Sequence, residues 1–330
     1  MKTFVMAPHA ILLALTLAVA PWSTSAGTIT IDMADGNAVS ELAAEGRSHV
    51  DAMRSMLATD YPGMAASANR NTISYIRREL VGATVARIEY TYEKNGRTYR
   101  TVYHARSGRS MKTIADVGIS KKEKGSGSSA SDTNDTDAST GNASIDELPG
   151  QEAKETVFYT NDAPGDVRAT SLPDVEGGIE ETNFGDVASH ANDAELKIVR
   201  RMDVDIREGA VSAGGTVDGF VSKTVCASCK AAFNELASRY DINGSIHQMI
   251  EPEKMVVGNR VVTIKPVGDD PIAKSRRASI ELRSSRNAYT NEQITKENLG
   301  RTRSALRAAG AIERAETTTA TAEEAEACNS

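Results

Sequence analysis

Cysteine is nearly absent: Cys226, Cys229 and Cys328 are the only three in 330 residues. Three thiols exclude a disulfide-stapled scaffold and a four-cysteine metal site within one chain, and the odd number leaves a free thiol or an intermolecular bridge. Aromatic residues are scarce too, 5% with a single tryptophan. Stretches rich in Ser, Thr, Asn and Asp add to that shortage, so a good part of the chain is not core. Asp and Glu outnumber Lys and Arg by 45 to 38, a net charge of -7, which counts against strong non-specific nucleic-acid binding. After the N-terminus no run approaches the ~20 apolar residues of a membrane span, and no repeat of fixed period is present. One domain with flanking segments fits this length and composition.

The N-terminus supplies the one long apolar run. Met1-Lys2, the stretch from Ala10 to Ala20 and the small residues Thr24-Ser25-Ala26 have the form of a secretory signal over residues 1–26. The expected product is therefore secreted or periplasmic, with no membrane span after cleavage. In an oxidising compartment Cys226 and Cys229 can pair with each other, and a disulfide or thiol-redox role stands as an alternative for them.

Val39, Leu42, Gly46, Val50, Met53 and Leu57 recur at helical spacing, which predicts an amphipathic helix from Ala38 to Ala58 that Tyr61-Pro62-Gly63 ends. This N-terminal helical segment spans 27–66. A second helix is expected from Ser67 to Val81, and a β-hairpin follows in which Val85–Glu93 and Thr98–His104 flank Asn95-Gly96. That turn sets Tyr92 opposite Tyr99, Tyr90 opposite Thr101 and Ile88 opposite Tyr103 on one buried face. Arg87, Glu89, Glu93, Arg100 and His104 fall on the other face, expected to be solvated. Arg97, Arg100, Arg106, Arg109 and Lys112, interleaved with tyrosines, would suit phosphate contacts, but Glu89 and Glu93 dilute them and favour an ordinary solvated face.

From about 120 to 154 the composition is that of a disordered insertion. Val157-Phe158-Tyr159 is a short strand candidate, with turns at Pro164-Gly165 and Gly177-Gly178. Ala194–Met202 reads as a helix with Leu196, Val199 and Met202 on one side. A strand at Thr216–Val221, a helix at Cys229–Arg239, a strand at Ser245–Ile250 and a hairpin around Gly258-Asn259 follow. This order implies an α/β fold, a mixed sheet with helices packed across it over 67–265. Residues 266–330 read as a basic tail, helical from Asn291 to Glu316.

Two stretches carry chemistry. Asn192 to Ile198 opens a helix with Asp193 and Glu195 two residues apart, and Ser222 to Lys230 ends a strand in Cys226-x-x-Cys229 and enters another helix. Nucleobase deaminases pair His-x-Glu with Pro-Cys-x-x-Cys, each opening a helix. Here Asp193-Ala194-Glu195 stands for the first motif, and Val225 replaces the proline of the second. The chain thus resembles the deaminase domains of bacterial polymorphic toxins, in the cytidine-deaminase-like superfamily. That resemblance implies Zn²⁺ held by Asp193, Cys226 and Cys229, with Glu195 uncoordinated and shuttling the proton of an activated water. It also implies a nucleic acid or nucleotide as substrate and leaves room for an immunity protein as partner; delivery or that partner is an expected role for the Ala38–Ala58 helix and the tail after Pro266. His190, three residues before Asp193, is the alternative third ligand, with Asp193 then holding its ring. Taken alone, Glu195 is an ordinary first-turn acid that complements the helix dipole.

Overall fold

A computed structural model describes residues 26–67, 70–124, 158–159, 165–173, 176–180, 190 and 192–310. The expected signal segment apart from Ala26, the expected insertion from 125 onward and the end of the chain from 311 lie outside the described residues. The fold is α/β, with a mixed six-stranded sheet in the order β1-β6-β5-β2-β3-β4. Its strands are β1 (Ile29–Met33), β2 (Val85–Lys94), β3 (Arg97–Arg106), β4 (Asp166–Arg168), β5 (Thr216–Val221) and β6 (Asn243–Gln248). β1 and β6, β6 and β5, and β3 and β4 pair in parallel, whereas β2 is antiparallel to both β5 and β3. β2 is therefore the one opposed strand, and the carboxyl ends of the other five share one edge of the sheet.

The β2–β3 hairpin has the register the turn implies: Tyr92 faces Tyr99, Tyr90 faces Thr101 and Ile88 faces Tyr103. Asn95 and Gly96 both take positive φ, 55° and 71°, as a two-residue turn of this kind demands. β5 reaches its parallel neighbour β6 through a helix, the connection parallel strands require. Only glycine fits at Gly244, where φ is 142° and a Cβ would lie 1.9 Å from the Val217 carbonyl oxygen.

Helices cover both faces of the sheet. α1 (Asn37–Asp60), α2 (Pro62–Ser67), α3 (Arg70–Gly82) and α4 (Met111–Lys124) precede α5 (Ala194–Arg207), α6 (Ala227–Tyr240), α7 (Pro271–Gln293) and α8 (Lys296–Ala308). α5 and α6 bury Leu196, Ile198, Val199, Phe233 and Leu236 against Ile88, Tyr90, Tyr103 and Ile246. On the opposite face α1 and α7 pack Leu42, Ala278 and Leu282 with Val85 and Met249. β7 (Lys254–Val257) and β8 (Arg260–Thr263) form the second hairpin as a separate two-stranded sheet.

Several expectations need correction. The 27–66 segment is not helical throughout, because it opens with β1, which pairs with β6 in the main sheet. Pro62 follows α1 and starts the short α2, since proline suits a first helical turn; α2 runs to Ser67 and α3 is described from Arg70, with 68–69 outside the described residues. His104 is 1% exposed rather than solvated, because α1 lies over it and brings Glu45 Oε2 to 3.3 Å from its Nδ1. α4 occupies residues 120–124, where the insertion was expected to begin. Phe158 and Tyr159 are not in a strand, and the edge strand falls at Asp166–Arg168. The C-terminal region forms two helices at 271–308 in place of one at 291–316. Asp270 caps α7 by accepting the Ala273 N–H, with Pro271 in the first turn, and Thr295 caps α8 by accepting the Asn298 N–H.

Candidate metal centre

The site is assembled from two helix starts at the carboxyl edge of the sheet. β5 ends at Val221, and five residues later Cys226 is the N-cap of α6, where its Sγ accepts the Cys229 N–H at 3.2 Å. Between them Val225 is buried and donates its N–H to Gln248 Oε1 at 2.8 Å. A proline there would have no N–H to give, which fits the departure from Pro-Cys-x-x-Cys.

Asp193 is the N-cap of α5, yet its side chain makes no capping hydrogen bond. Aspartate at an N-cap ordinarily accepts an N–H of the first turn. Here the carboxylate points to the cysteines instead, with Oδ2 3.8 Å from Cys226 Sγ and 3.5 Å from Cys229 Sγ. The same oxygen lies 2.9 Å from His190 Nδ1, and that nitrogen is 3.9 Å from Cys226 Sγ. Gly108, just after β3, anchors this helix start by donating its N–H to the Asn192 carbonyl at 2.9 Å.

His190, Asp193 and Cys226 form a group that could hold a metal ion, their ligand atoms all within 4.8 Å of one another. Cys229 is not one of that trio, but its sulfur is 2.8 Å from Cys226 Sγ. Metal–ligand bonds of about 2.0–2.3 Å in a tetrahedron put neighbouring ligand atoms roughly 3.3–3.8 Å apart. The edges at 3.5 and 3.8 Å fall within that range, and the one at 3.9 Å lies just above it. The two shorter ones, His190–Asp193 and Cys226–Cys229, are the contacts that carry a shared proton, and metal binding displaces such protons. Cys229 is buried, whereas His190 and Asp193 keep 33% and 30% of their side chains exposed. The group thus opens to solvent on their side.

Cys226 Sγ accepts the Cys229 N–H and shares protons with the Ser228 hydroxyl at 2.9 Å and the Cys229 thiol at 2.8 Å, contacts that favour Cys226 as the thiolate of the pair. The hydrogen bond from Cys229 is the largest influence that brings Cys226 down to about 6, against its partial burial. Cys229 is pushed up by that same hydrogen bond and by burial.

Glu195 sits in the first turn of α5, only 4% exposed. Burial, with Asp193 and Cys226 adding to it, raises its carboxyl to about 8, while its own backbone N–H and Lys223 act the other way. A carboxylic acid in this state holds a proton at neutral pH beside a cluster of metal-binding groups, the environment expected of a proton-transfer group.

Both candidates for the third ligand, Asp193 and His190, are brought together with Cys226, and Glu195 lies on the same helix start. Sequence reasoning missed Gln248, Ser228 and Lys223, which have no motif of their own. It also missed how thoroughly α5 is buried. Glu195, Lys197, Arg200, Asp203 and Asp205 are buried along with its apolar stripe. Lys197 Nζ donates to the Arg106 and Gly108 carbonyls, Asp203 accepts from Tyr240 and the Ile179 N–H, and Asp205 accepts from Tyr103. These partners come from distant segments and fix the helix that carries Asp193 and Glu195.

No protein-family model matches the chain, and neither a curated protein nor a solved structure does. The fold and site define an α/β protein with a group able to hold a metal at the carboxyl edge of its sheet.

Proposed function

We propose that this chain is an exported zinc-dependent nucleobase deaminase, a toxin that converts a ring amino group of a base to a carbonyl, consuming water and releasing ammonia. The reading rests above all on Asp193, an N-cap whose carboxylate is turned from its helix to two cysteine sulfurs, with buried Glu195 two residues on. Asp193, Cys226 and Cys229 would hold the ion, as an oxygen and two sulfurs suit zinc. The ion supplies Lewis acidity that brings water to nucleophilic strength at neutral pH. Glu195 would carry the protons, first giving the one it holds to the ring nitrogen, then taking one from the water at its carboxylate and passing it to the departing amine, and recovering a proton from the new hydroxyl as the carbonyl forms. His190 holds Asp193 through its Nδ1, leaving one position for the reaction. If His190 also bound the ion, four protein ligands would close the site as in structural zinc centres.

The reduced protein is expected to hold about one zinc per chain, and Glu195→Gln to keep that zinc while losing deamination by roughly 10²–10⁴-fold. Wild-type turnover in the variant would sink the assignment of Glu195. Loss of zinc in His190→Ala but not in Asp193→Ala would exchange the roles of those two residues.

The 2.8 Å separation of Cys226 and Cys229 sulfurs favours one second reading, an exported non-enzymatic binding protein of the same fold with these two thiols joined as a disulfide. It is short of a metal-bridged edge and close enough for a small shift to form the bond. Zero zinc and no titratable Cys226 or Cys229 thiol in the exported protein would select that reading.

A further inference from the structure

A small open depression lies at the carboxyl edge of the sheet, lined by Ser222, Lys223, Glu251, Lys254, Arg283 and Arg286 among others. Its lining holds four cations against one carboxylate, in a chain whose net charge is -7. The local sign is thus opposite to that of the whole molecule. Arg286 is committed elsewhere, since its guanidinium donates to the Leu80 and Ala83 carbonyls and caps the end of α3. Lys223 and Arg283 are not committed. Among the described residues neither has a hydrogen-bond or ion-pair partner, although Lys223 is half-buried and Arg283 is exposed.

Lys223 links this depression to the metal group. It stands three residues before Cys226, and its charge is felt by the buried Glu195 carboxyl. A half-buried ammonium with no hydrogen-bond or ion-pair partner among the described residues forgoes hydration that an anionic ligand would replace. Crevices at the carboxyl ends of parallel strands are the usual binding places in open α/β sheets.

We infer that Lys223 and Arg283 form a phosphate subsite, which receives a backbone phosphate of the nucleic acid whose base reaches the metal group. The choice of nucleic acid rests on the proposed function, whereas the preference for a phosphate rests on the depression itself. Two cations that line one depression can bind a phosphate through charge, without reading sequence. The local excess of positive charge also offsets the bulk charge that opposes binding elsewhere on the surface.

Binding of a labelled single-stranded oligonucleotide to the full chain, followed by anisotropy across a salt series, tests this. Each lost phosphate contact lowers the slope of log affinity against log salt by about 0.7 for a single strand. Lys223→Gln and Arg283→Gln are each expected to show that decrease, the double variant about twice as much, and Lys223→Arg to restore it. Arg283 is exposed, so its variant reads binding free of any folding defect. Unchanged slopes in both single variants overturn the subsite. Competition by a nucleoside monophosphate as strong as by the oligonucleotide supports the subsite with a free nucleotide as its source of phosphate, and competition by the oligonucleotide alone supports a polynucleotide. Polyglutamate that competes better than either overturns it in favour of an acidic polypeptide. A chain that holds no zinc and deaminates nothing, yet shows the slope change, removes the proposed function and leaves the phosphate subsite standing.

Discussion

Two neighbouring rows of residues cross the six strands one position apart, and they have opposite character. Val167, Tyr103, Ile88, Gly219, Ile246 and Ile31 form one row, and Arg168, His104, Arg87, Phe220, His247 and Asp32 form the next. Successive residues of a strand point to opposite faces, so the first row meets α5 and α6 and the second lies on the side of α1. The apolar row is ordinary core. In the polar row Arg87 lies against Glu41 and Glu45, and His104 against Glu45. Arg168 has all three guanidinium nitrogens buried without a hydrogen-bond partner among the described residues, stacked 3.4 Å over the Tyr159 ring. The difference teaches where each face keeps its polar groups. On the α5 and α6 side they belong to the helices and are matched by tyrosines and carbonyls, whereas on the α1 side they come from the sheet itself and are only partly matched.

Three measurements probe that contrast. The largest effect is expected on the apolar side, where Phe233→Ala should cost roughly 3–5 kcal/mol in urea unfolding. Phe233 is buried in that core and lies one turn beyond Cys229 on the same face of α6, so the variant should also lose metal more readily. A cost below about 1 kcal/mol would mean that this face is not the tighter one.

The next effect is acid sensitivity on the polar side. Burial foremost, then Arg168 and Arg87, holds His104 down at about 4, and the carboxylate of Glu45 nearby does not offset them. His49, on α1, is held well below its usual value by burial and by His104, Arg106, Arg168 and Arg286. Both rings stay neutral in the folded chain but take up a proton near pH 6.5 when unfolded. Their contribution is therefore fully present above pH 6.5 and is lost as pH falls below it, for His104 through about 4. For His104 the loss amounts to about 3 kcal/mol over that window. His104→Gln should flatten the pH dependence of unfolding between 6.5 and 4, and an unaltered slope would show that His104 is already protonated in the fold.

The smallest effect carries the opposite sign. Arg168→Met removes a buried cation that lacks hydrogen bonds, so stability should be unchanged or rise by about 1 kcal/mol. A thermal melt that instead reports a clear loss would reveal an anionic partner for Arg168.

The parts of the fold that came through from sequence are those whose signal is local. Asn95-Gly96 set the register of β2 and β3 because a two-residue turn leaves no freedom in pairing, and the apolar spacing of α1 and α6 marked both helices. What escaped was set by distant partners. β1 carries alternating Ile29 and Ile31, yet five residues at an edge are a weak signal until β6 lies beside them. α7 buries Ala273, Ser275, Ala278 and Ser279, small residues that make no apolar stripe, and Ser275 is held by the Ile250 N–H at the end of the sheet. Within the site, Asp193, Glu195, Cys226 and Cys229 were legible from their spacing. The unused cap of Asp193, the contact with His190 and the approach of Lys223 were not, since each depends on where one loop lies against another.

The sequence by itself determined the α/β order of elements, the hairpin register and the two helix starts that carry acids and thiols, because periodicity, turn chemistry and caps act over a few residues. Only the tertiary structure decided that Asp193 and the cysteines meet, that Glu195 is buried enough to keep its proton, and that His104 lies beneath α1. Those outcomes depend on burial and on charges brought together from residues far apart in the chain, and local sequence carries neither.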